Sequence, residues 1–175
     1  MSSVFENSNN RKVLGLGGGC HWCTEAVFKS LNGVSNVRQG WIKSKFPHDT
    51  YSEAVVLEFD KLIIPAQVLL EIHLRTHSST SQHKFRSKYR SAVYFFETNK
   101  TDFERKTLQK LIERLQDQFK NPVITMVLPL VDFKINERKY LDYYKKNRNN
   151  QFCKRYIDPK LAKLQSEFIS FISSK

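Results

Sequence analysis

The chain has 175 residues, 40% of them hydrophobic and 26% charged, with thirteen Phe. That length is most simply one domain, and its apolar content is enough for a packed core, so disorder as the main state is excluded. A formal charge of +12 points to an anionic partner or to a basic solvated surface without choosing between them.

The cations are scattered, and no RNP, zinc-finger or basic-zipper pattern accompanies them, so nucleic acid is not the expected partner. The longest apolar stretch, residues 62–70, is broken by Pro65 and Gln67, whereas a bilayer span needs ~20 apolar residues. The first twelve residues are polar and carry no apolar h-region. A cytoplasmic protein is the expectation, and three cysteines there are more often chemical than structural.

Residues 1–10 read as a frayed start. Residues 12–16 form a short apolar run before Gly17-Gly18-Gly19, a strand leading into a glycine turn. Residues 20–31 have helical spacing, with Cys23, Ala26, Val27 and Leu31 on one face, and Asn32-Gly33 stops them. Strands are expected at 34–42 and 53–59 and a helix from Pro65 to about Thr76. A polar loop over 78–88 precedes a strand at 92–96.

The order β-α-β-β-α-β predicts an α+β fold with a ferredoxin-like split βαβ core (an α/β plait), an antiparallel sheet covered on one face by two helices. Extra elements follow: a long helix through Leu108, Leu111, Ile112, Leu115 and Phe119, a strand at 123–131, and helices at 137–146 and 159–172. Between those last helices, 147–151 is polar and without periodicity. The expectation is one domain over 1–175, with 147–175 as a loosely held C-terminal segment.

The chemistry concentrates at Gly17-Gly18-Gly19-Cys20-His21-Trp22-Cys23. Three glycines between a strand and a helix turn the backbone tightly and expose the residue that follows. A cysteine at a helix N-terminus faces orphan N–H groups and the positive end of the dipole, which favour the thiolate. Cys20 is therefore the candidate nucleophile. Cys23 completes a C-x-x-C pair within disulfide range, yet it also lies on the apolar stripe, so redox partner and core residue both stay open. No second C-x-x-C exists for a structural zinc site. His73 and His77, at i and i+4 with His83 nearby, read as helix C-terminal histidines rather than metal ligands, and no metal is expected.

The segment Gly-Gly-Gly-Cys-His-Trp-Cys-Thr-Glu-Ala-Val-Phe resembles the active-site motif of the peptide methionine sulfoxide reductase A family, normally Gly-Cys-Phe-Trp-x-x-Glu. Further blocks follow in the family's order: Leu31-Asn32-Gly33-Val34, Ser52-Glu53-Ala54-Val55, His77, Tyr89-Arg90-Ser91-Ala92-Val93-Tyr94, Lys146-Asn147 through Phe152-Cys153, and Ile157-x-Pro159-Lys160-Leu161. The resemblance spans about residues 11–164. Any one tetrapeptide is weak; the ordered set is specific.

The resemblance implies a thiol-dependent reduction of methionine-S-sulfoxide, free or in peptides. Cys20 would attack sulfur, Glu53 would protonate the sulfoxide oxygen with help from Tyr89, and Cys153 would resolve the sulfenic acid as a disulfide. A thioredoxin-type reductant would regenerate the thiols, with no bound cofactor and a monomer sufficing. Trp22 would form one wall of the methyl pocket. Glu25, inside the motif, would have a structural role or support the site residues from behind.

Departures from the family gather on the substrate side. Its Phe after the nucleophile is His21, which makes half of the methyl pocket polar. The glycine-rich loop bearing a second active-site Tyr is shortened to 41–50, leaving Tyr51 as its candidate. An Asp of the family aligns with Lys84. Together with Arg86, Lys88 and Arg90, this predicts a more cationic rim and a binder retuned toward a smaller or anionic S-oxide. The other readings carried are a C-x-x-C dithiol exchange enzyme and, outside enzymology, a basic nucleic-acid-binding module without catalysis.

Overall fold

The computed structural model describes residues 10–98 and 101–174; the start read above as frayed lies, up to residue 9, outside the described residues. Strand β1 (Arg11–Gly17) runs through the middle of the sheet and leads into α1 (His21–Lys29). Strands β2 (Val34–Lys43) and β3 (Ser52–Asp60) follow, then α2 (Ala66–Thr76) and β4 (Ala92–Phe95). After α3 (Thr101–Leu115) come β5 (Met126–Pro129), β6 (Asp132–Ile135), α4 (Tyr143–Asn147) and α5 (Asp158–Glu167). The six strands lie in the order β5-β4-β1-β3-β2-β6. All neighbours are antiparallel except β4 and β5. This is a mixed α+β architecture.

Strand alternation sends two sets of side chains to two faces. Leu14, Leu16, Val55, Leu57, Val93 and Phe95 join one large core with Val27 and Phe28 of α1, Leu69, Leu70 and Ile72 of α2, and Leu108, Ile112 and Leu115 of α3. The opposite face is smaller: Ile42, Ala54, Val56, Ala92 and Tyr94 pack under Met126, Leu128, Leu130 and Phe133. Among the described residues, no helix is long and apolar enough to cross a membrane.

The C-terminal third departs from the sequence expectation. The single strand expected at 123–131 is the short β5, followed by β6, which pairs with β2 from Gly40 to Lys43. Its residues Asp132-Phe133-Lys134-Ile135 are half-buried or exposed and carry no apolar run. A Cβ on Gly40 would stand 2.0 Å from the Lys134 carbonyl oxygen, so glycine is what lets the sixth strand approach.

The helix expected at 137–146 is a single tight turn over Arg138–Tyr140, a break at Asp142 with φ 56°, and then α4. The break is held by the buried Glu25 carboxylate, which accepts the backbone N–H groups of Asp142 at 3.2 Å and Tyr143 at 3.1 Å. Periodicity along 137–146 cannot register an acceptor supplied from α1.

The segment from 147 onward, expected to be loosely held, is packed. Asn147 Nδ2 donates to the Tyr143 carbonyl, Asn150 Nδ2 donates to the Tyr143 hydroxyl, and Asn150 Oδ1 accepts the Cys153 N–H. A wide π-type turn over Cys153–Ile157 then runs directly into α5. The polar residues that looked like a loop are local braces, each satisfying backbone or hydroxyl groups.

Candidate active site

The turn after β1 delivers Cys20 to the N-terminus of α1. Gly18 has φ +152°, and a Cβ there would fall 2.4 Å from the His77 ring, so neither the backbone nor the space admits a side chain. The Cys20 carbonyl accepts the N–H groups of Cys23 at 3.1 Å and Thr24 at 3.2 Å, which starts the helix at the next residue. Cys20 itself is partly exposed, while Cys23 and Cys153 are buried.

The thiols have different proton affinities. A hydrogen bond from the Cys23 thiol lowers the Cys20 pKa most; burial and the Glu53 charge oppose it, and the Trp22 and Cys23 N–H groups assist it. Donating that bond, together with burial, raises Cys23. Burial also pushes Cys153 up. Cys20 thus favours the thiolate, and its two neighbours stay thiols. All three meet in one cluster: Cys23, Ala26, Cys153 and Ile157 form its buried centre, with Cys20, Tyr143 and Phe152 packed on it.

The carboxyl of Glu53 comes from the start of β3, with its side chain 9% exposed. Its Oε2 accepts the His21 backbone N–H at 3.0 Å and lies 3.7 Å from His21 Nε2. Lys88 Nζ stands 3.6 Å from Oε1 and 5.1 Å from the centre of the Tyr89 ring. Contact with Tyr89, then with Glu53, raises the Lys88 pKa and keeps it charged.

Below the glycine turn lie two more histidines. His73 Nε2 donates to the Gly17 carbonyl, and His77 is bonded through Nδ1 to the His73 carbonyl and through Nε2 to the Ser91 hydroxyl. They brace the turn from beneath. Burial lowers the His73 pKa to about 4, and burial followed by the nearby His73 lowers His77 well below its usual range.

Because folding depresses these values, the unfolded chain takes up protons first. The stabilisation is complete above about pH 6.5 and is lost as the pH falls toward 4, roughly 3 kcal/mol for His73 alone. Urea unfolding at a series of pH values is the measurement. The slope between pH 6.5 and 4 is expected to shrink in His73→Leu, and an unchanged slope would refute the assignment.

A family model for peptide methionine sulfoxide reductase matches residues 12–171. The peptide methionine sulfoxide reductase MsrA of Psychrobacter cryohalolentis is 35% identical over 173 residues, covering 91% of this chain and 97% of the relative. The chain belongs to the peptide methionine sulfoxide reductase family. Two solved structures share its fold. Mxr1 from Saccharomyces cerevisiae in reduced form gives a TM-score of 0.69 at 22% identity, over 82% of this chain and 90% of that one. Mxr1 in complex with Trx2 gives 0.59 at 21% identity, over 79% and 89%.

In this family member the residues singled out from sequence separate into two groups. Cys20, Cys23, Cys153, Trp22, His21 and Glu53 come together around the start of α1. Tyr89 stands beside them through Lys88. Trp22 is stacked on Tyr143, with ring centres 3.8 Å apart and planes 4° from parallel, and Phe152 meets both rings edge-on. One face of the expected methyl-pocket wall is therefore covered by α4.

His21 is not an open pocket wall. It is 4% exposed, with Nδ1 on the Gly40 carbonyl at 2.8 Å. Tyr51 donates instead to Asp132 on β6, under the ammonium groups of Lys43 and Lys134. The rim of cations is also redistributed. Lys84 is exposed with its ammonium 5.1 Å above Phe85. Arg86 turns inward to the carbonyls of Gly18, Ser78, Ser81 and Tyr89, and Arg90 to Thr50 and Tyr94. Of the four, Lys88 is the one that reaches Glu53.

Tyr140, Tyr143, Asn136 and Gln39 were missed. Asn136 Nδ2 donates to Gln39 Oε1 at 2.7 Å and stands 3.5 Å from His21 Nε2, while Gln39 Nε2 donates to the Tyr140 carbonyl. They lie 97 or more positions from their partners or from α1, so no local pattern could reveal them.

Proposed function

We propose that this chain reduces methionine-S-sulfoxide to methionine, with Cys20 as nucleophile, Glu53 as acid assisted by Tyr89, and Cys153 as resolving thiol. The observation that carries this reading is the partly exposed Cys20, its thiol acidified by Cys23, with the charge of the Glu53 carboxyl felt at it. A sulfoxide oxygen leaves only when protonated, and a positioned acid contributes ~10²–10⁴-fold.

In the reaction the Cys20 thiolate forms a bond to the sulfoxide sulfur while the oxygen takes a proton from Glu53. Transfer of the hydroxyl to Cys20 breaks the substrate S–O bond and the S–S bond just formed. The substrate leaves as the thioether, reduced by two electrons, and Cys20 is left as the sulfenic acid. Attack by Cys153 then releases water and forms a disulfide. The packing of Cys153 in one cluster with Cys23, against which Cys20 lies, supports it as the second thiol. Thioredoxin-type exchange would return the thiols, a role favoured by the complex formed by the yeast relative with Trx2.

All three thiols come from one chain, so a monomer suffices, and no bound cofactor enters any step. A cytoplasmic site of action follows from the need for reduced thiols at the start of each cycle. The strand order β4-β1-β3-β2 within the sheet supports a ferredoxin-like split βαβ core, with β5 and β6 added at its two edges.

Family membership favours neither dithiol exchange alone nor a nucleic-acid module. The test is loss of each methionine sulfoxide epimer with dithiothreitol and then with thioredoxin. Turnover of the S epimer is expected with both, and absence of turnover with either epimer refutes the reading.

A further inference from the structure

His21 occupies a place where a purely apolar residue would complete a pocket wall, yet every edge of its ring is engaged. Nδ1 lies 2.8 Å from the Gly40 carbonyl oxygen, which only accepts, so Nδ1 carries a hydrogen. In the neutral ring Nε2 is then a lone pair. It faces Glu53 Oε2 at 3.7 Å and the donor Asn136 Nδ2 at 3.5 Å. The Trp41 ring closes the side at 5.2 Å, edge to face. The imidazole and the carboxyl are 5% and 9% exposed, so water does not screen them from one another.

A lone pair facing an ionised carboxylate across this distance is repulsive, and a single proton between them makes the contact attractive from either side. That proton is either a carboxyl O–H directed at Nε2 or an Nε2–H directed at the carboxylate. We propose that His21 is a positioning residue that shares one proton with Glu53, so that the acid of the reaction is a two-residue unit. This rests on Glu53 being the acid of sulfoxide reduction.

The backbone N–H of the same His21 holds Oε2 at 3.0 Å, so one residue both orients the carboxyl and stores its proton. The other ionisable groups at the pair are the Lys88 ammonium, 3.6 Å from Oε1, and the Cys20 thiol, which feels the Glu53 charge. Asn136, Gln39 and Trp41 around the ring are neutral.

The pair's one proton is used once in each cycle. Glu53 gives it to the sulfoxide oxygen as the S–O bond breaks, which leaves the carboxylate facing a neutral imidazole. When Cys153 later attacks the sulfenic acid, the proton shed by its thiol passes through Glu53 to the departing hydroxyl, which leaves as water. Reduction of the disulfide by the external dithiol returns a proton to the pair as Cys20 becomes a thiolate again.

Two measurements test the pair independently. Ring ¹⁵N shifts of His21 are followed against pH in the wild-type chain and in Glu53→Gln. The Nε2 resonance should differ between the two proteins, since replacing the carboxyl removes one of the two holders of the shared proton. Identical ring shifts at every pH in the two proteins would overturn the proposal, and this readout needs no turnover.

The second measurement is the pH profile of kcat/KM with dithiothreitol for wild type, His21→Gln and His21→Phe. His21→Gln retains an amide donor for Gly40 but holds no proton, so its alkaline limb should move down by about one pH unit. An unmoved limb in an active His21→Gln enzyme rejects the shared proton while leaving sulfoxide reduction intact. A wild-type protein that turns over no sulfoxide refutes the reductase reading instead. His21→Phe reports whether packing alone preserves the rate: restored rate together with an unmoved limb overturns the proposal.

Discussion

Cys20→Ser is expected to lower methionine formation from the S epimer by on the order of 10³-fold or more, with dithiothreitol and thioredoxin alike. The reason is electronic rather than steric. A hydroxyl in the same place accepts the same N–H groups at the start of α1, yet it stays protonated at neutral pH and is a poor nucleophile toward sulfur. The features that acidify Cys20, above all the hydrogen bond from the Cys23 thiol, have nothing to act on once the sulfur is gone. Unfolding by urea should be little changed, because the residue is only partly buried and its carbonyl, not its side chain, starts the helix. A variant retaining a tenth of wild-type turnover would remove Cys20 from the mechanism.

The second large effect separates the two remaining cysteines. Cys153→Ser should release one equivalent of methionine per enzyme in a burst and then stall with thioredoxin, losing ~10²-fold or more in steady state. Forming the sulfenic acid needs no second thiol, whereas thioredoxin requires a disulfide to attack. Cys23→Ser should instead slow the burst itself, since the thiol that Cys23 donates to Cys20 is what favours the thiolate. Should Cys23→Ser abolish thioredoxin-driven turnover while Cys153→Ser sustains it, the C-x-x-C pair is the working disulfide. Rapid-quench assays of methionine against time, with each donor, distinguish these outcomes.

Both predictions depend on residues whose importance is visible locally. Cys20 stands after three glycines and before an amphipathic helix, and that turn needs no distant contact to be recognised. The same holds for β1 to β4 with their two intervening helices, where 2-residue and 3.6-residue periods alternate cleanly and the observed bounds agree closely with the expected ones. Glu53 was legible only through its place among ordered motifs; as an isolated carboxylate at a strand start it looks ordinary.

Much of what stayed hidden depends on a partner supplied from far along the chain. The strand β6 exists because Gly40 admits the Lys134 carbonyl, and the break at Asp142 exists because Glu25 waits beneath it. The polar run before Cys153 is the local exception: its asparagines satisfy backbone and hydroxyl groups within the same turn of chain, a use of polar side chains that hydrophobic periodicity does not register. Charge behaved like the distant cases. Arg86 and Arg90 look like substrate-binding cations in the sequence, but their guanidinium groups are taken up by the Gly18 and Thr50 carbonyls, and Lys88 alone of that group meets Glu53.

Length, composition and charge thus set the expectation of one packed unit, and the cysteine turn pointed to thiol chemistry; among the described residues no helix is long and apolar enough to cross a membrane. The +12 charge determined no partner, because sequence counts cations without saying which of them a carbonyl has already claimed. Tertiary structure decided that. It also decided that His21 faces Glu53 instead of open solvent, and that Cys153 is packed rather than swinging free. Local patterns record what a residue prefers from its neighbours in the chain. Proton sharing, burial and thiol reactivity depend on what the fold brings within a few ångströms, and that is set only when the chain closes on itself.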